Sequence, residues 1–467
     1  MTVTPLQLLQ LNIEYGGTGV DFAAVIAVIN KSGASVVALQ EACGRVPEIA
    51  ADLGWPYFDV RTQVVSQLPL LDPPVPAAGV VFVEVEPGRV VAIVNVHPAS
   101  RRYGPFRLAK GEPLRRVLRR ERRLRLAELQ PSLDAAALLM RDGVPVILLG
   151  DFNAPSHLDW TEAAVGALPQ VTQAVPWPTS VATEATGLVD AYRVAHPDPV
   201  TRPGLTWPAA RPFVEGYNPA ADGQSADRID FMHVSPDVSV TGIQIVGEQE
   251  SPFSEMSVTP WPTDHRGLLA ALHLTPAQPP PVVSVSRRLA VVGEEVTVRA
   301  IADRLSAVRV VPRGGSAEAI LVELPRGDGI VGQLDTATLG VGVFDLVAMD
   351  AARGEVARST LWIAAVGATP DVTTGSPHYG AGEAVDVQWS SSPGNRADWV
   401  AIYLRGAVPG AAKASMTAAT GATVEGELIF DEVSHPRKWP LPTGAYTAHL
   451  LMDDLPKSLA ATDFTIS

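Results

Sequence analysis

Acidic, amide and imidazole side chains recur through the first 275 residues, at or just beyond short hydrophobic runs that predict β-strands. In chain order they are Asn12, Glu14, Glu41, His97, Asp151, Asn153, Asp230, Asp264 and His265. Binding and catalytic sites are commonly built at the ends of strands on a rigid sheet, so we expect these side chains to form one site.

Each of these residues alone has a structural explanation, such as capping a turn at the end of a strand. Together they have a chemical one. Carboxylate and amide oxygens are the ligands that hard cations such as Mg²⁺ and Mn²⁺ prefer. Two histidines beside such oxygens indicate protonated groups placed against phosphate charge.

The hydrophobic runs predict the elements that must position these side chains. Asp21 can cap a helix that ends at Gly33, with Phe22, Val25 and Ile29 on its apolar face. The turn at residues 86–89 predicts a hairpin. Strands are predicted at residues 6–13, 36–39, 80–85, 90–96, 146–149 and 229–234. The alternation of strands and helices indicates an α/β layered domain of about 275 residues.

Six stretches carry a resemblance to a known superfamily. They are Leu11-Asn12-Ile13, Leu39-Gln40-Glu41, Asn95-Val96-His97, Gly150-Asp151-Phe152-Asn153, Asp227-Arg228-Ile229-Asp230-Phe231 and Thr263-Asp264-His265. In this order they resemble the endonuclease/exonuclease/phosphatase superfamily, which shares the fold of deoxyribonuclease I. The resemblance covers about residues 6–273. It implies a four-layer α/β sandwich with two central sheets and a site at one edge.

The resemblance also implies a metal-binding set. Glu41 matches the principal metal carboxylate, assisted by Asn12 and Asp264. Glu14 lies where some members have a second acidic ligand. The expected cofactor is Mg²⁺ or Mn²⁺, as one or two ions, with Ca²⁺ as an alternative.

Five further residues match catalytic positions of the superfamily. Asp151 matches the group that orients or deprotonates the attacking water, and Asn153 the amide that holds the phosphate or that water. His265 matches the histidine that stabilises the transition state, with Asp230 as its orienting partner. His97 matches a histidine of the deoxyribonuclease and sphingomyelinase branches, and Glu84 and Glu86 are nearby candidates for its carboxylate partner.

Three residues are candidates for binding the substrate. Trp207 lies in a proline-rich loop, where it could anchor the loop or stack on a ring. His157 follows Asn153 in a polar stretch that could line a pocket or begin a capped helix at Ser156. Arg101 opens a strongly basic segment just after His97.

The basic segment, residues 101–125, contains eleven arginines and lysines against Glu112 and Glu121, a local charge of +9 in a chain of net charge −14. Leucines and valines roughly keep a helical face that Glu121 interrupts. One interpretation is a solvated helix. The other is a basic rim that attracts an anionic substrate or surface.

A proline-rich stretch at residues 275–283 predicts a domain boundary, since prolines cannot pair in a sheet. Beyond it, short strands with glycine-rich turns predict two all-β sandwich domains resembling immunoglobulin-like modules. The predicted domains are therefore 1–275, 283–366 and 369–467. We find no catalytic constellation in the last two, and expect a structural or targeting role there.

Composition narrows the classes of protein. The chain has 467 residues, of which 46% are hydrophobic and 18% charged, as expected of globular domains. Net charge −14 weighs against a dedicated duplex-DNA binder. The single cysteine, Cys43, excludes a disulfide framework and a cysteine zinc site. The β-domains favour an extracellular or periplasmic location, and a cytoplasmic one is expected if Met1 is the native start.

Three functions compete on this sequence. The first is a metal-dependent phosphoesterase acting on a lipid headgroup, inositol phosphate or sugar phosphate. The second is a nuclease, supported by the basic segment. The third is a non-catalytic binding protein, which would be expected to have lost some of the metal-binding and histidine residues, whereas all of them are present. The expected partners are an anionic phosphate-ester substrate, and a membrane surface or glycan bound by the β-domains. Nucleic acid is an alternative, and no obligate protein partner is expected.

Overall fold

In this computed structural model, which describes residues 3–73, 79–209, 226–249, 251–325, 330–453 and 455–467, the chain divides into two units. The first is Met1–Pro280 and the second is Pro281–Ser467. In the described ranges, no helix is both long enough and apolar enough to cross a membrane.

Thirteen strands of the described residues build two mixed sheets in the first unit. They are β1 (Thr4–Asn12), β2 (Val36–Gln40), β3 (Tyr57–Asp59), β4 (Val64–Ser66), β5 (Leu70–Leu71), β6 (Val80–Glu86), β7 (Arg89–Val96), β8 (Val146–Asp151), β9 (Val189–Asp190), β10 (Asp230–Val234), β11 (Val238–Gly247), β12 (Met256–Ser257) and β13 (Gly267–Leu274). One sheet has the order β12-β11-β13-β1-β2-β4-β3 and the other β5-β6-β7-β8-β10-β9.

Eight helices accompany these strands in the described residues. They are α1 (Glu14–Gly17), α2 (Phe22–Ser32), α3 (Val46–Leu53), α4 (Gly104–Ala109), α5 (Leu114–Glu121), α6 (Ala127–Arg141), α7 (Pro178–Ala185) and α8 (Ala191–Ala195). A π-helical turn, Arg122–Leu126, joins α5 to α6, and a 3-10 turn spans Glu162–Ala164.

Successive residues of each central strand pack alternately between the two sheets and against the outer helices. Leu8 of β1 packs between the sheets with Ile93 and Leu149, whereas Leu9 packs outward against α2 and α3. On the other side α6 packs on β7 and β8. Strands covered on both faces are apolar on both, which explains the continuous hydrophobic runs of the sequence. The predicted four-layer sandwich is confirmed.

Local signals of the sequence set the element ends. Asp21 accepts a hydrogen bond from the Ala23 amide at 3.0 Å and begins α2. Gly33 ends α2 in the left-handed region, with φ of 65°. The predicted hairpin is β6–β7, closed at the pair Glu86 and Arg89.

Parallel pairing brings the strand ends to one edge. β1 runs parallel to β2, with Asn12 opposite Gln40. β7 runs parallel to β8, with Val96 opposite Gly150. The residues that follow these four strand ends therefore emerge together at one edge of the sandwich.

The second unit is all β. Its strands are β14 (Val282–Val285), β15 (Leu289–Val291), β16 (Glu295–Ile301), β17 (Leu305–Pro312), β18 (Val322–Pro325), β19 (Ile330–Asp335), β20 (Gly342–Asp350), β21 (Gly354–Ala364), β22 (Asp371–Thr374), β23 (His378–Tyr379), β24 (Val385–Ser390), β25 (Trp399–Leu404), β26 (Met416–Ala419), β27 (Gly426–Phe430), β28 (Gly444–Leu451) and β29 (Ser458–Ile466), with a 3-10 turn at Thr336–Thr338. Residues 282–364 form a three-stranded and a five-stranded sheet, and residues 371–466 repeat that pair.

Each pair of sheets encloses its own hydrophobic cluster, so the predicted two β-sandwiches are confirmed. The sequence pattern predicts a strand at residues 319–322 and an interruption of the strands at residues 369–375, and both details are wrong. The strand begins only at Val322, and residues 371–374 form β22. Independent folding within the predicted boundaries stays a prediction.

Candidate active site

The backbone around the strand ends is unusual. Glu14, Tyr15, Glu41, Arg102 and Asn153 all have positive φ, between 46° and 60°. Side chains other than glycine adopt this region rarely, at a cost of about 1–3 kcal/mol each. Such strain clusters at sites where side-chain direction is set by function, which agrees with the predicted location of the site.

Gly150 has a steric role in the site. It has φ of 139°, and a Cβ there would lie 2.0 Å from the carbonyl oxygen of Val96. Only glycine therefore allows β8 to approach β7 at this point. The close approach places Asp151 next to His97, which begins the loop after β7.

Asp151 lies at the centre of the site and is buried. Its Oδ2 accepts hydrogen bonds from Asn12 Nδ2 and Asn153 Nδ2, both at 3.1 Å, and its Oδ1 accepts one from the Asn153 amide at 2.7 Å. Burial favours the neutral acid, but the charges of His265 and His97 and these hydrogen bonds outweigh it and lower the Asp151 pKa. Asp151 is therefore ionised at neutral pH.

His265 faces Asp151 from the other sheet. Its Nδ1 lies 2.9 Å from Oδ2 of Asp230, and its Nε2 lies 3.7 Å from Oδ2 of Asp151. Gln10 holds the other oxygen of Asp230, donating from Nε2 at 2.8 Å. Burial opposes the charge of the imidazole, but Asp230, Asp151 and Asp264 outweigh it and raise the His265 pKa well above its usual value.

His97 contacts two acids of the site. Its Nε2 lies 3.5 Å from Asp151 Oδ2 and 3.7 Å from Glu41 Oε1. Glu84 and Glu86, the candidates suggested by the sequence, have other roles. Glu84 accepts the Gly88 amide inside the hairpin, and Glu86 accepts the hydroxyl of Thr4.

The predicted metal ligands also come together. Asn12 donates to Glu41 at 3.2 Å, and its own Oδ1 accepts the Glu14 amide. Glu41 and Asp264 line the cleft with side chains that are 22% and 15% exposed. Oxygen ligands that reach solvent and share one cleft suit a hard divalent cation.

A second group of ligand atoms lies deeper. Asp151, Asp230 and His265 place one ligand atom each within 4.8 Å of one another. Both oxygens of Asp230 are already engaged, one by Gln10 and the other by His265. Glu41 and Asp264 reach the cleft and therefore fit a cation better than the buried group does, whereas Asn12 is itself buried and orients Glu41 through its amide.

The site opens into a cleft of about 510 Å³. The side chains that line it are Glu14, Tyr15, Glu41, Ser100, Arg102, Tyr103, Phe106, Arg107, Lys110, Asp151, Asn153, Trp207, Ile229, Asp264 and His265. One wall is acidic. The other, formed around α4, is aromatic and basic.

Two carboxylates fix the aromatic wall. Tyr103 donates its hydroxyl to Asp227 at 2.7 Å, and burial together with Asp227 raises the Tyr103 pKa well above its usual value, so the phenol keeps its proton. Trp207 donates from Nε1 to Asp264 at 3.1 Å and packs edge-on against Tyr103 at 5.6 Å between ring centroids. The rings are therefore held in place beside the predicted metal ligands.

The nine residues predicted from the strand ends all converge, and Trp207 lines the cleft. Two predicted substrate contacts do not line it. His157 bonds to Ser180 and Glu184, and Arg101 lies beside Glu128 with 68% of its side chain exposed. Sequence reasoning suggested a basic rim within residues 101–125 but missed its aromatic members, although Tyr103, Phe106, Arg107 and Lys110 have the i, i+3, i+4, i+7 spacing of a single helix face.

The basic segment divides into three parts. Arg102, Arg107 and Lys110 line the cleft. Arg116 and Arg120 of α5 pair with Glu112, which precedes the helix, and Arg115 and Arg119 of α5 are exposed. Arg125 is fully buried, bonded to Glu121 and to the carbonyl oxygens of Ser100 and Arg101. Each interpretation of the basic segment therefore holds for a part of it: some of its cations line the cleft, and others lie on a solvated helix.

Comparison with known proteins agrees with this geometry. Residues 9–265 match the Endonuclease/Exonuclease/phosphatase family, and the chain belongs to that family. The resemblance noted in the sequence is thus confirmed. Enzymes of this family typically depend on a divalent metal, and membership supports a metal-dependent phosphoesterase.

An uncharacterized protein of Caenorhabditis elegans is 32% identical over 133 residues, which are 28% of this chain and 41% of that protein. The chain thus spans about two fifths of this relative. An endonuclease/exonuclease/phosphatase of Beutenbergia cavernae is 15% identical, covers 99% of this chain and 100% of its own, and has a TM-score of 0.33. A 3'-5' exonuclease of Neisseria meningitidis is 17% identical and has a TM-score of 0.38; the match covers 57% of this chain and 98% of the exonuclease. A mannosyl-6-phosphatase of Bacteroides thetaiotaomicron is 14% identical and has a TM-score of 0.32; the match covers 57% of this chain and 99% of the phosphatase.

Proposed function

We propose that the first unit hydrolyses a phosphodiester or phosphomonoester of a lipid headgroup, an inositol phosphate or a sugar phosphate, with Mg²⁺ or Mn²⁺ as cofactor. The observation that carries the proposal is the placement of His265 Nε2 3.7 Å from Asp151 Oδ2, in a cleft lined by carboxylates. The neighbouring charges, which raise the His265 pKa and lower the Asp151 pKa, favour the ionised forms of both groups. Such a site can hold water on one side of a phosphorus atom and neutralise charge on the other.

Asp151 and Asn153 would position the attacking water. Asp151 accepts hydrogen bonds from two amide groups, which stabilise its ionised form. A group with a lowered pKa is a weak general base. Orientation of the water is therefore its main role, and Asn153 offers a second contact from a strained backbone position.

His265 and His97 would bind the phosphate oxygens. A charged His265 donates from Nε2, because its Nδ1 is engaged by Asp230. The charge that develops in the transition state lies on these oxygens, so donors fixed in advance stabilise it more than they stabilise the substrate.

Glu41 and Asp264 would hold the cation with the support of Asn12, and Glu14 lines the same cleft. A divalent ion bound there supplies charge neutralisation of the non-bridging phosphate oxygens. The protein fixes the ligands through the hydrogen bond from Asn12 to Glu41 and through that from Trp207 to Asp264.

A panel of phosphate esters assayed with Mg²⁺, with Mn²⁺ and with EDTA tests the proposal. The panel contains sphingomyelin, inositol phosphates, sugar phosphates, nucleotides and bis-p-nitrophenyl phosphate. We expect metal-dependent hydrolysis of at least one small ester. Complete inactivity across the panel with a folded protein would contradict the proposal.

A nuclease is the second candidate, because Arg102, Arg107 and Lys110 line the cleft beside aromatic rings on which bases could stack. Cleavage of plasmid DNA at low enzyme concentration, with phospholipids and sugar phosphates untouched, would reverse the ranking.

The β-sandwiches would direct the catalytic unit to a membrane surface or a glycan. Accessory modules without a catalytic constellation commonly serve such a role. Sedimentation with anionic vesicles and retention on glycan arrays, compared for the full chain and residues 1–280, test this; equal binding by both would contradict it.

A further inference from the structure

The basic wall of the cleft is presented by one helix face. Phe106, Arg107 and Lys110 lie on or directly after α4, one turn beyond Tyr103, and all four line the cleft. Gly104 lets α4 approach its support, since a Cβ there would lie 2.5 Å from the Trp177 ring. The hydrogen bond of Tyr103 to Asp227 ties the same helix to the strand-end motif that carries Asp230.

The cations of this wall form no close ion pair. In the part of the chain that the structure describes, the side chains of Arg102, Arg107 and Lys110 make no ion pair within 4.0 Å, whereas Arg120 and Arg125 of the same segment are paired. Three cations without a close acidic partner on one side of a cleft repel one another, and an anion between them would reduce that repulsion.

Two regions of the cleft can therefore hold phosphate. The reacting phosphate would face His265 and Asn153, and the cations of the α4 wall offer a second place for an anion in the same cleft. Trp207 and Phe106, with ring centroids 6.0 Å apart, belong to the same wall. A volume of about 510 Å³ accommodates one ring with two substituents.

We propose that Arg102, Arg107 and Lys110 bind a second phosphate group of the substrate, and that Phe106 and Trp207 contact the ring that carries both phosphates. The substrate class is then a small bisphosphorylated ring compound, a sugar, inositol or nucleoside bisphosphate. This inference rests on the proposed phosphoesterase function and narrows it.

Calorimetric binding in EDTA tests the inference without turnover. The ligands are fructose 1,6-bisphosphate, myo-inositol 1,4-bisphosphate and adenosine 3′,5′-bisphosphate, each beside its monophosphate. We expect at least one bisphosphate to bind about tenfold or more tightly than its monophosphate. The double substitution Arg107→Gln with Lys110→Gln should remove that preference and reduce its salt dependence. Thermal unfolding of each variant verifies that it is folded.

The matched control is Arg115→Gln with Arg119→Gln, which removes the same charge from exposed positions on α5. We expect it to keep the preference. An equal loss in the control would overturn the inference in favour of a general field of the basic segment, and so would the absence of any bisphosphate preference in the wild-type protein.

The two proposals fail separately. Selective bisphosphate binding in EDTA without hydrolysis in Mg²⁺ or Mn²⁺ would support the second phosphate position and contradict the phosphoesterase function. Metal-dependent hydrolysis of an ester without bisphosphate preference would do the reverse.

Discussion

Nδ1 of His265 lies 2.9 Å from Oδ2 of Asp230, and both side chains are buried where the two sheets meet. This contact leaves Nε2 of the imidazole 3.7 Å from Asp151 and 3.5 Å from Asn12. A carboxylate behind an imidazole fixes the ring orientation and stabilises its charged form. Asp230 is therefore a positioning residue for His265.

Asp230→Asn tests this relationship. Loss of the carboxylate removes the strongest stabilisation of the charged imidazole, so we expect kcat to fall roughly 10²–10⁴-fold with a much smaller change in KM. The alkaline limb of the pH profile of kcat should move to lower pH, because the His265 pKa falls. A drop in kcat with an unmoved pH profile would assign Asp230 a structural role only.

Arg125 gives a prediction about stability. The Glu121–Arg125 pair is 1% and 0% exposed, and removing one partner of a buried pair leaves an uncompensated charge. Arg125→Met should lower the free energy of unfolding by about 3–5 kcal/mol. Denaturant unfolding measures this.

The matched control replaces both partners, Glu121→Leu with Arg125→Met. Apolar replacement of a whole buried pair is often neutral, so most of the stability should return. The hydrogen bonds from Arg125 to the carbonyl oxygens of Ser100 and Arg101 would be missing in both variants. Because Ser100 lines the cleft, we expect both variants to bind substrate more weakly than the wild-type protein. Recovery of both stability and affinity would show that this arginine does not position the cleft loop.

His233 predicts how stability depends on pH. Burial lowers its pKa from 6.5 to about 4, and its Nδ1 has no hydrogen-bond partner in the described ranges. The fold therefore prefers the neutral imidazole. Its contribution is fully present above about pH 6.5 and is lost as the pH falls toward 4, amounting to about 3 kcal/mol.

His233→Leu should flatten this acid-induced loss. The measurement is the free energy of unfolding of both proteins between pH 7 and pH 4, where the difference between the two curves isolates His233 from other titrating groups. Parallel curves would show that the residue does not titrate over this range.

The first unit should fold without the β-sandwiches, provided that the fragment is cut late enough. Ala277 pairs with Val90, and Arg89 donates to the carbonyl oxygen of Pro276 at 2.8 Å. We expect residues 1–280 to unfold cooperatively, and residues 1–274 to be less stable because they lack these bonds. Circular dichroism during heating compares the two fragments; an aggregated or molten 1–280 fragment would contradict the predicted independence.

The strand-end residues could be predicted from the sequence because a hydrophobic run and the polar residue that follows it are both visible within a few residues of the chain. Asn12, Glu41 and Asp151 each follow an apolar run, and parallel pairing brings such ends to one edge without further information. The same logic could not find Gln10, whose amide supports Asp230 from inside β1, since a polar residue in a strand gives no sign of its partner.

The basic segment shows a different limit. Glu121 interrupts the apolar face in the sequence, and in the structure it is buried because Arg125 compensates its charge. An acidic residue on an apolar helix face is rarely buried unless a basic residue pairs with it. The four-residue spacing of Glu121 and Arg125 is compatible with such a pair but does not establish it. Tyr103 and Phe106 of the α4 wall were missed because a helix of six residues carries little periodic signal.

The most direct test of the central claim is the rate of bis-p-nitrophenyl phosphate hydrolysis as a function of Mg²⁺ concentration, for the wild-type protein and for Glu41→Gln. One anionic ligand among few oxygens supplies much of the affinity for the cation. We predict no hydrolysis by the wild-type protein in EDTA, saturable activation by Mg²⁺, and loss of that activation in the folded variant. Metal-independent hydrolysis, or a variant with wild-type activity at limiting Mg²⁺, would contradict the assignment of this cleft as a metal-dependent phosphoesterase site with Glu41 as its principal ligand.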